Sequence, residues 1–131
     1  MDDPIQGLPP LRVLVVDADD RIRESLTGLL GIGRRLVVVG GAGRPGPALE
    51  LAATARPDVV VVDPRLPGID GGLEFIGRLR AVAPNVRVVV MGSFDEPDQG
   101  SLAAVSDACV RKTFRPAELM SVIETAGRRS A

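Results

Sequence analysis

The chain has 131 residues, 45% of them hydrophobic and 25% charged, with a formal net charge of -1. That length suits one domain with a core of its own, and the near-neutral balance argues against direct nucleic-acid binding. Histidine catalysis and histidine metal sites are excluded because the chain has no His, and an internal disulfide because Cys109 is its single cysteine.

The N-terminal extension over residues 1–10, MDDPIQGLPP, is acidic and proline-rich, unlike a secretion signal, and no apolar run is long enough to span a bilayer. No membrane association is expected, and the expected location is the cytoplasm. One domain is expected over residues 11–128, followed by a short tail at 129–131. Within it, Val-rich runs at 11–16 (LRVLVV), 35–40 (RLVVVG), 58–63 (DVVVVD) and 86–91 (VRVVVM), and a weaker one at 108–111 (ACVR), predict strands. Unalternated β-branched runs suit strands buried on both faces.

Between the strands, the spacing of Ile22, Leu26, Leu29 and Leu30 predicts a first helix that Gly31 and Gly33 end. An Ala-rich helix is expected over 47–56, stopping before Pro57. Leu73, Ile76 and Leu79 share a face, as do Leu119, Val122, Ile123 and Ala126, while residues 95–105 form the weakest helix pattern. Five strand-helix units in a short chain imply an α/β fold: a five-stranded parallel sheet, doubly wound, with helices on both faces.

Ligands in such sheets bind beyond the carboxyl ends of the strands. The first strand ends at Asp17, the third at Asp63, the fourth at Gly92 and Ser93, and the fifth at Lys112, the only lysine beside fifteen arginines. Two carboxylates and one ammonium would meet on one rim. Mg²⁺ needs few protein carboxylates and leaves positions for phosphate oxygens, and a lysine can neutralise a phosphoryl group as a point charge. The pattern points to metal-assisted phosphoryl chemistry on an aspartate.

The segments RVLVVDADDRIRESL, PDVVVVDPRLPGIDGG, RVVVMGSFDEP and ACVRKTFRPAEL resemble the receiver domain of bacterial two-component response regulators, the CheY-like family with its (βα)5 fold. The resemblance runs from about Leu11 to Arg128 and is most specific at Asp63 with Pro67, Gly68, Asp70 and Gly71 behind it. It implies that Asp63 accepts a phosphoryl group from a sensor histidine kinase or another phosphodonor. It further implies that Asp17, Asp63 and the backbone carbonyl of Arg65 hold Mg²⁺, and that Lys112 contacts the phosphoryl oxygens. The helices and strand after residue 92 would form the surface that changes, with a homodimer as a further expected partnership. The only catalysis implied is self-phosphorylation and autodephosphorylation.

The chain departs from that pattern at several positions. Ala18 stands where the family usually has a second acidic residue, which would make Mg²⁺ binding weaker. Asp19 has two readings, a substitute metal ligand or, as the ordinary alternative, a cap on the first helix. Gly92 occupies the place of the family's hydroxyl, Cys109 that of its switching aromatic, and Thr113 that of a common proline. Cys109 reads as a buried, inert thiol. These departures raise a second hypothesis, a receiver retained as a phosphorylation-independent interaction or dimerisation module.

Two other classes compete. GAGRPG places glycines at 41, 43 and 46 after a strand, with Asp63 about 20 residues on, as a dinucleotide-binding fingerprint would; Pro45, however, removes an N–H from that loop. Asp17-x-Asp19, with Ser93 and Lys112, resembles a haloacid dehalogenase-type phosphatase, but the later acidic pair such enzymes carry is missing. Within the receiver reading, "VVG" and "DPRLPGIDG" look like receivers that precede a helix-turn-helix output domain in transcription regulation.

Overall fold

The computed structural model describes residues 8–63, 65, 73–92, 105–111 and 115–128. Strands β1 (Leu11–Val16), β2 (Leu36–Ala42), β3 (Val59–Val62), β4 (Arg87–Gly92) and β5 (Ala108–Arg111) are joined by helices α1 (Asp20–Leu30), α2 (Pro45–Thr54) and α3 (Leu73–Val82), and helix α4 (Pro116–Gly127) follows β5. The strands form one parallel sheet in the order β2-β1-β3-β4-β5, the α/β architecture expected from the alternation of runs. The helix expected over 95–105 lies outside the described residues, apart from Val105.

The Val runs are unalternated because both faces of the sheet are covered. Leu14, Val16, Val60, Val62, Val88 and Val90 point to one side, where they pack with Ala48 and Ala52 of α2 and with Phe75, Ile76 and Leu79 of α3. Val13, Val15, Val59, Val61, Val89 and Met91 point to the other and meet Leu26 and Leu30 of α1 and Leu119, Ile123 and Ala126 of α4. The period-two direction of strand side chains thus sorts one run of valines into two cores. Leu73, expected on the buried face of α3, is 44% exposed at the start of that helix, and Phe75 fills the core instead.

Several boundaries differ from the expected ones for identifiable reasons. β2 continues through Gly40 and Gly41 to Ala42, since the parallel ladder with β1 carries on to the pair Val16–Ala42, with an irregularity between Val13 and Leu14. Gly40 leaves room for a neighbour: a Cβ there would lie 3.2 Å from Leu51 Cδ1 of α2. Helix α2 begins at Pro45 and not at residue 47, because proline is suited to the first helical turn, where its missing N–H has no partner to lose. Pro116 starts α4 in the same way. No described helix is long and apolar enough to cross a membrane.

Candidate functional site

In the strand order β2-β1-β3-β4-β5 the chain winds one way from β1 to β2 and the other way from β3 outward. The crevice at the carboxyl ends of β1 and β3 is therefore the switch point where ligands bind in open α/β sheets. Val16 pairs with Val62 at the end of the β1–β3 ladder, and the next residue on each strand is an aspartate. The Asp63 N–H donates to the Val16 carbonyl at 2.9 Å, and the Asp17 N–H donates to the Ala42 carbonyl at 3.0 Å. Asp17 is 1% exposed and Asp63 4%; among the described residues they are the buried charged ones.

Both carboxylates are oriented by the same local device. Asp17 Oδ1 accepts the backbone N–H of Asp19, and Asp63 Oδ1 that of Arg65, each at 2.9 Å. A carboxylate bonding the amide two residues on turns the chain away from the strand end while fixing its own side chain. Two guanidinium groups flank the pair. Arg23 Nη1 of α1 donates to the Asp17 carbonyl oxygen at 2.8 Å and its other nitrogen pairs with Asp20. Arg65 Nε lies 3.5 Å from Asp63 Oδ1. Arg23 reaches its place through a notch that glycines leave: a Cβ on Gly43 would lie 2.9 Å from Arg23 Nη1, and one on Gly41 3.2 Å from Arg23 Cδ.

The remaining site residues fall as follows. Asp19 caps α1, its Oδ1 accepting from Arg21 N at 2.9 Å and Ile22 N at 3.2 Å. Ala18 is exposed between the two aspartates. Gly92 is buried at the end of β4 and pairs with Arg111, the residue before Lys112. Cys109 is half-buried, not fully buried as expected, and its Sγ lies 3.1 Å from Ser106 Oγ. Lys112 lies outside the described residues, as do Ser93, Thr113, Pro67, Gly68, Asp70 and Gly71. No group of three or more acidic or thiol ligands occurs among the described residues. The two adjacent, buried carboxylates are nevertheless hard oxygen donors, the chemistry that suits Mg²⁺.

Sequence reasoning assigned no role to the side chains of Arg23, Arg65 or Asp107. Asp107 Oδ2 accepts from Val88 N at 2.7 Å and Arg80 Nη2 at 3.2 Å, and the Asp107 N–H donates to the Val88 carbonyl at 2.9 Å. This bracket ties the start of β5 to β4 and α3, and so positions the short edge strand that leads to Lys112. Its one sequence signal is an aspartate directly before a strand, a placement common enough to carry no weight alone.

The family model for the response regulator receiver domain matches residues 13–124. The chain belongs to the response regulator receiver family. This membership, with its CheY-like fold, displaces the dinucleotide-binding and phosphatase alternatives. The glycine-rich stretch at 40–46 accordingly runs off the edge strand β2 beside Asp17, where Gly41 and Gly43 make room for the Arg23 side chain.

Among curated relatives, the chain is 35% identical over 123 residues to the response regulator MprA of Mycolicibacterium vanbaalenii, covering 92% of this chain and 52% of that protein. It is 34% identical over 120 residues to the DNA-binding transcriptional activator DevR/DosR of Mycobacterium tuberculosis, covering 89% and 54%. This receiver chain therefore spans about half the length of these relatives. Among solved structures, the signal receiver domain of a NarL response regulator from Mycobacterium tuberculosis superposes with a TM-score of 0.78 at 29% identity, covering 92% of this chain and 98% of that one. The response regulator domain of Thermotoga maritima CheB shares the fold at a TM-score of 0.79 and 24% identity, covering 93% and 99%.

Proposed function

We propose that this receiver accepts a phosphoryl group on Asp63 from a sensor histidine kinase or a small phosphodonor, and that the modification alters an interaction surface. The observation that carries this reading is the pair of buried carboxylates, Asp17 and Asp63, side by side at the switch point of the sheet. An Asp63 oxygen would form the new P–O bond as the donor's P–N or P–O bond breaks, and the leaving group would keep that bond's electron pair. Asp17, Asp63 and the Arg65 carbonyl would hold Mg²⁺, which when bound supplies positive charge against the transferring phosphoryl oxygens. Lys112 would contact the same oxygens, and the chain would catalyse nothing beyond gain and loss of its own phosphoryl group. A cytoplasmic location, a partner histidine kinase, a homodimer and a role in transcription regulation through an output domain all belong to this proposal. The family supports the kinase partner and the location, and a relative such as the DNA-binding transcriptional activator DevR/DosR supports the role in transcription regulation; the homodimer rests on the resemblance alone. One receiver unit over 11–128 belongs to it too, flanked by 1–10 and 129–131.

One observation favours a second reading, a phosphorylation-independent interaction module. Ala18 offers no side-chain oxygen, and Asp19 directs one carboxylate oxygen to the first turn of α1. The deciding experiment is intact-protein mass after incubation with a small phosphodonor and Mg²⁺, with Asp63→Asn alongside. One added phosphoryl group that is lost in Asp63→Asn supports the first reading. No adduct, under conditions that modify a control receiver, rejects it in favour of the second.

A further inference from the structure

We infer that the Arg65 guanidinium is a built-in counter-cation of the Asp63 carboxylate, with which Mg²⁺ must compete for the site. The inference rests on the reading of Asp63 and Asp17 as the Mg²⁺-binding carboxylates, and it assigns a role to a side chain that the reading leaves out.

Arg65 makes two contacts to one oxygen. Its backbone N–H donates to Asp63 Oδ1 at 2.9 Å, and its Nε stands 3.5 Å from that same atom. The turn bond holds the arginine stem at the mouth of the crevice, and the side chain folds back over the strand end. The two partners differ in environment: the Arg65 side chain is 64% exposed and that of Asp63 6%. A buried carboxylate gains from a cation at its rim, while the exposed guanidinium can swing into solvent at little cost in packing. A guanidinium keeps its charge throughout the physiological range, so this counter-cation cannot be removed by a change of pH.

The rim's charge balance gives the contact its consequence. Ala18 contributes no charge where a second acid would deepen the attraction for a divalent cation. Arg23 directs its guanidinium to the Asp17 carbonyl and to Asp20, whose carboxylate offsets its charge, so Arg65 is the arginine held against a site carboxylate among the described residues. A carboxylate pair with the Arg65 guanidinium held against one member attracts Mg²⁺ less than the same pair without it. Arg65 therefore sets the Mg²⁺ concentration at which the site fills, independently of whether a phosphoryl group is ever transferred.

The test is calorimetric titration of the whole chain with MgCl₂ at low ionic strength, without phosphodonor, on wild type, Arg65→Gln and Arg65→Lys. Arg65→Gln should tighten Mg²⁺ binding by about threefold or more, and Arg65→Lys should stay within about twofold of wild type. The gain should shrink in high salt, because the competing charge is exposed. In an Asp63→Asn background, Arg65→Gln should have no further effect, as expected if the two side chains act on each other. An unchanged or weaker affinity in Arg65→Gln overturns the inference, as does a failure of both wild type and Arg65→Gln to bind Mg²⁺. A gain of equal size in the Asp63→Asn background also overturns it. Because no phosphodonor is present, a chain that never takes up a phosphoryl group would sink the phosphoacceptor reading while leaving the Mg²⁺ result standing.

Discussion

Asp17 and Asp63 each follow the last pair of the β1–β3 ladder, Val16 and Val62, and the Asp63 N–H is bonded to the Val16 carbonyl at 2.9 Å. The backbone ladder therefore places two carboxylates in one buried crevice, where the proposed Mg²⁺ would offset their like charge. Mg²⁺ at ten times its dissociation constant should stabilise the wild-type fold by about 1.4 kcal/mol. Asp17→Asn and Asp63→Asn should each lose most of that gain in thermal unfolding followed by circular dichroism. An Asp17→Asn protein stabilised as much as wild type would remove Asp17 from the metal site.

Asp19 offers a separation of capping from metal binding. Its Oδ1 bonds to Arg21 N and Ile22 N should be worth about 1 kcal/mol, so Asp19→Ala is expected to destabilise the fold by that amount. The additional stability conferred by Mg²⁺ should survive the substitution. Loss of the Mg²⁺ effect in Asp19→Ala would show instead that this carboxylate is a ligand.

Ala18, between Asp17 and Asp19 in the chain, is exposed, so a larger side chain there meets no packed core. Ala18→Asp should tighten Mg²⁺ binding by about tenfold through one added carboxylate. Titration calorimetry reads this directly, and an unchanged affinity would show that the position faces away from the site.

Three helical glycines should respond to Ala with opposite signs. A Cβ on Gly127 would lie 2.8 Å from both Leu11 Cδ1 and Val59 Cγ2, whereas Gly28 and Gly77 have nothing within 4 Å. Gly127→Ala should destabilise by about 1–2 kcal/mol as the overpacking outweighs helix propensity. Gly28→Ala and Gly77→Ala should stabilise by about 0.5–1 kcal/mol each. Urea unfolding of the three variants checks the contrast, and a stabilised Gly127→Ala would contradict the tight packing of α4 on β1 and β3.

Asp107→Ala leaves the Val88 amide and the Arg80 guanidinium without their carboxylate partner. The expected loss is about 2 kcal/mol. Because β5 is a short edge strand, its amides should also lose hydrogen-exchange protection before those of central β1. Uniform loss across the sheet would show that the bracket supports the whole fold equally.

Much of this was legible in the chain itself, since short-range patterns are written in neighbouring residues. Runs such as LRVLVV and DVVVVD specify strands buried on both faces, and Leu26 with Leu30 or Leu119 with Ile123 specify helix faces. Aspartates closing the first and third runs marked the rim, and their surrounding motif marked the family. Local rules misplaced what long-range contacts decide. Gly41 and Ala42 fell beyond the expected end of the second strand at Gly40, yet remain in β2 because the ladder to β1 continues through them. Leu73 has the right spacing for burial, but lies too near the start of α3 to be covered.

The sequence by itself thus determined the element types, the two candidate carboxylates and the departures at Ala18, Gly92 and Cys109. Only the tertiary structure decided that Arg65 folds back onto Asp63, that Arg23 occupies the notch left by Gly41 and Gly43, and that Asp107 joins β5 to β4 and α3. The physical reason is one of range. Hydrophobic period and turn chemistry act over a few residues, whereas the neighbours of an arginine or aspartate are set by which strands lie side by side and how closely their backbones approach.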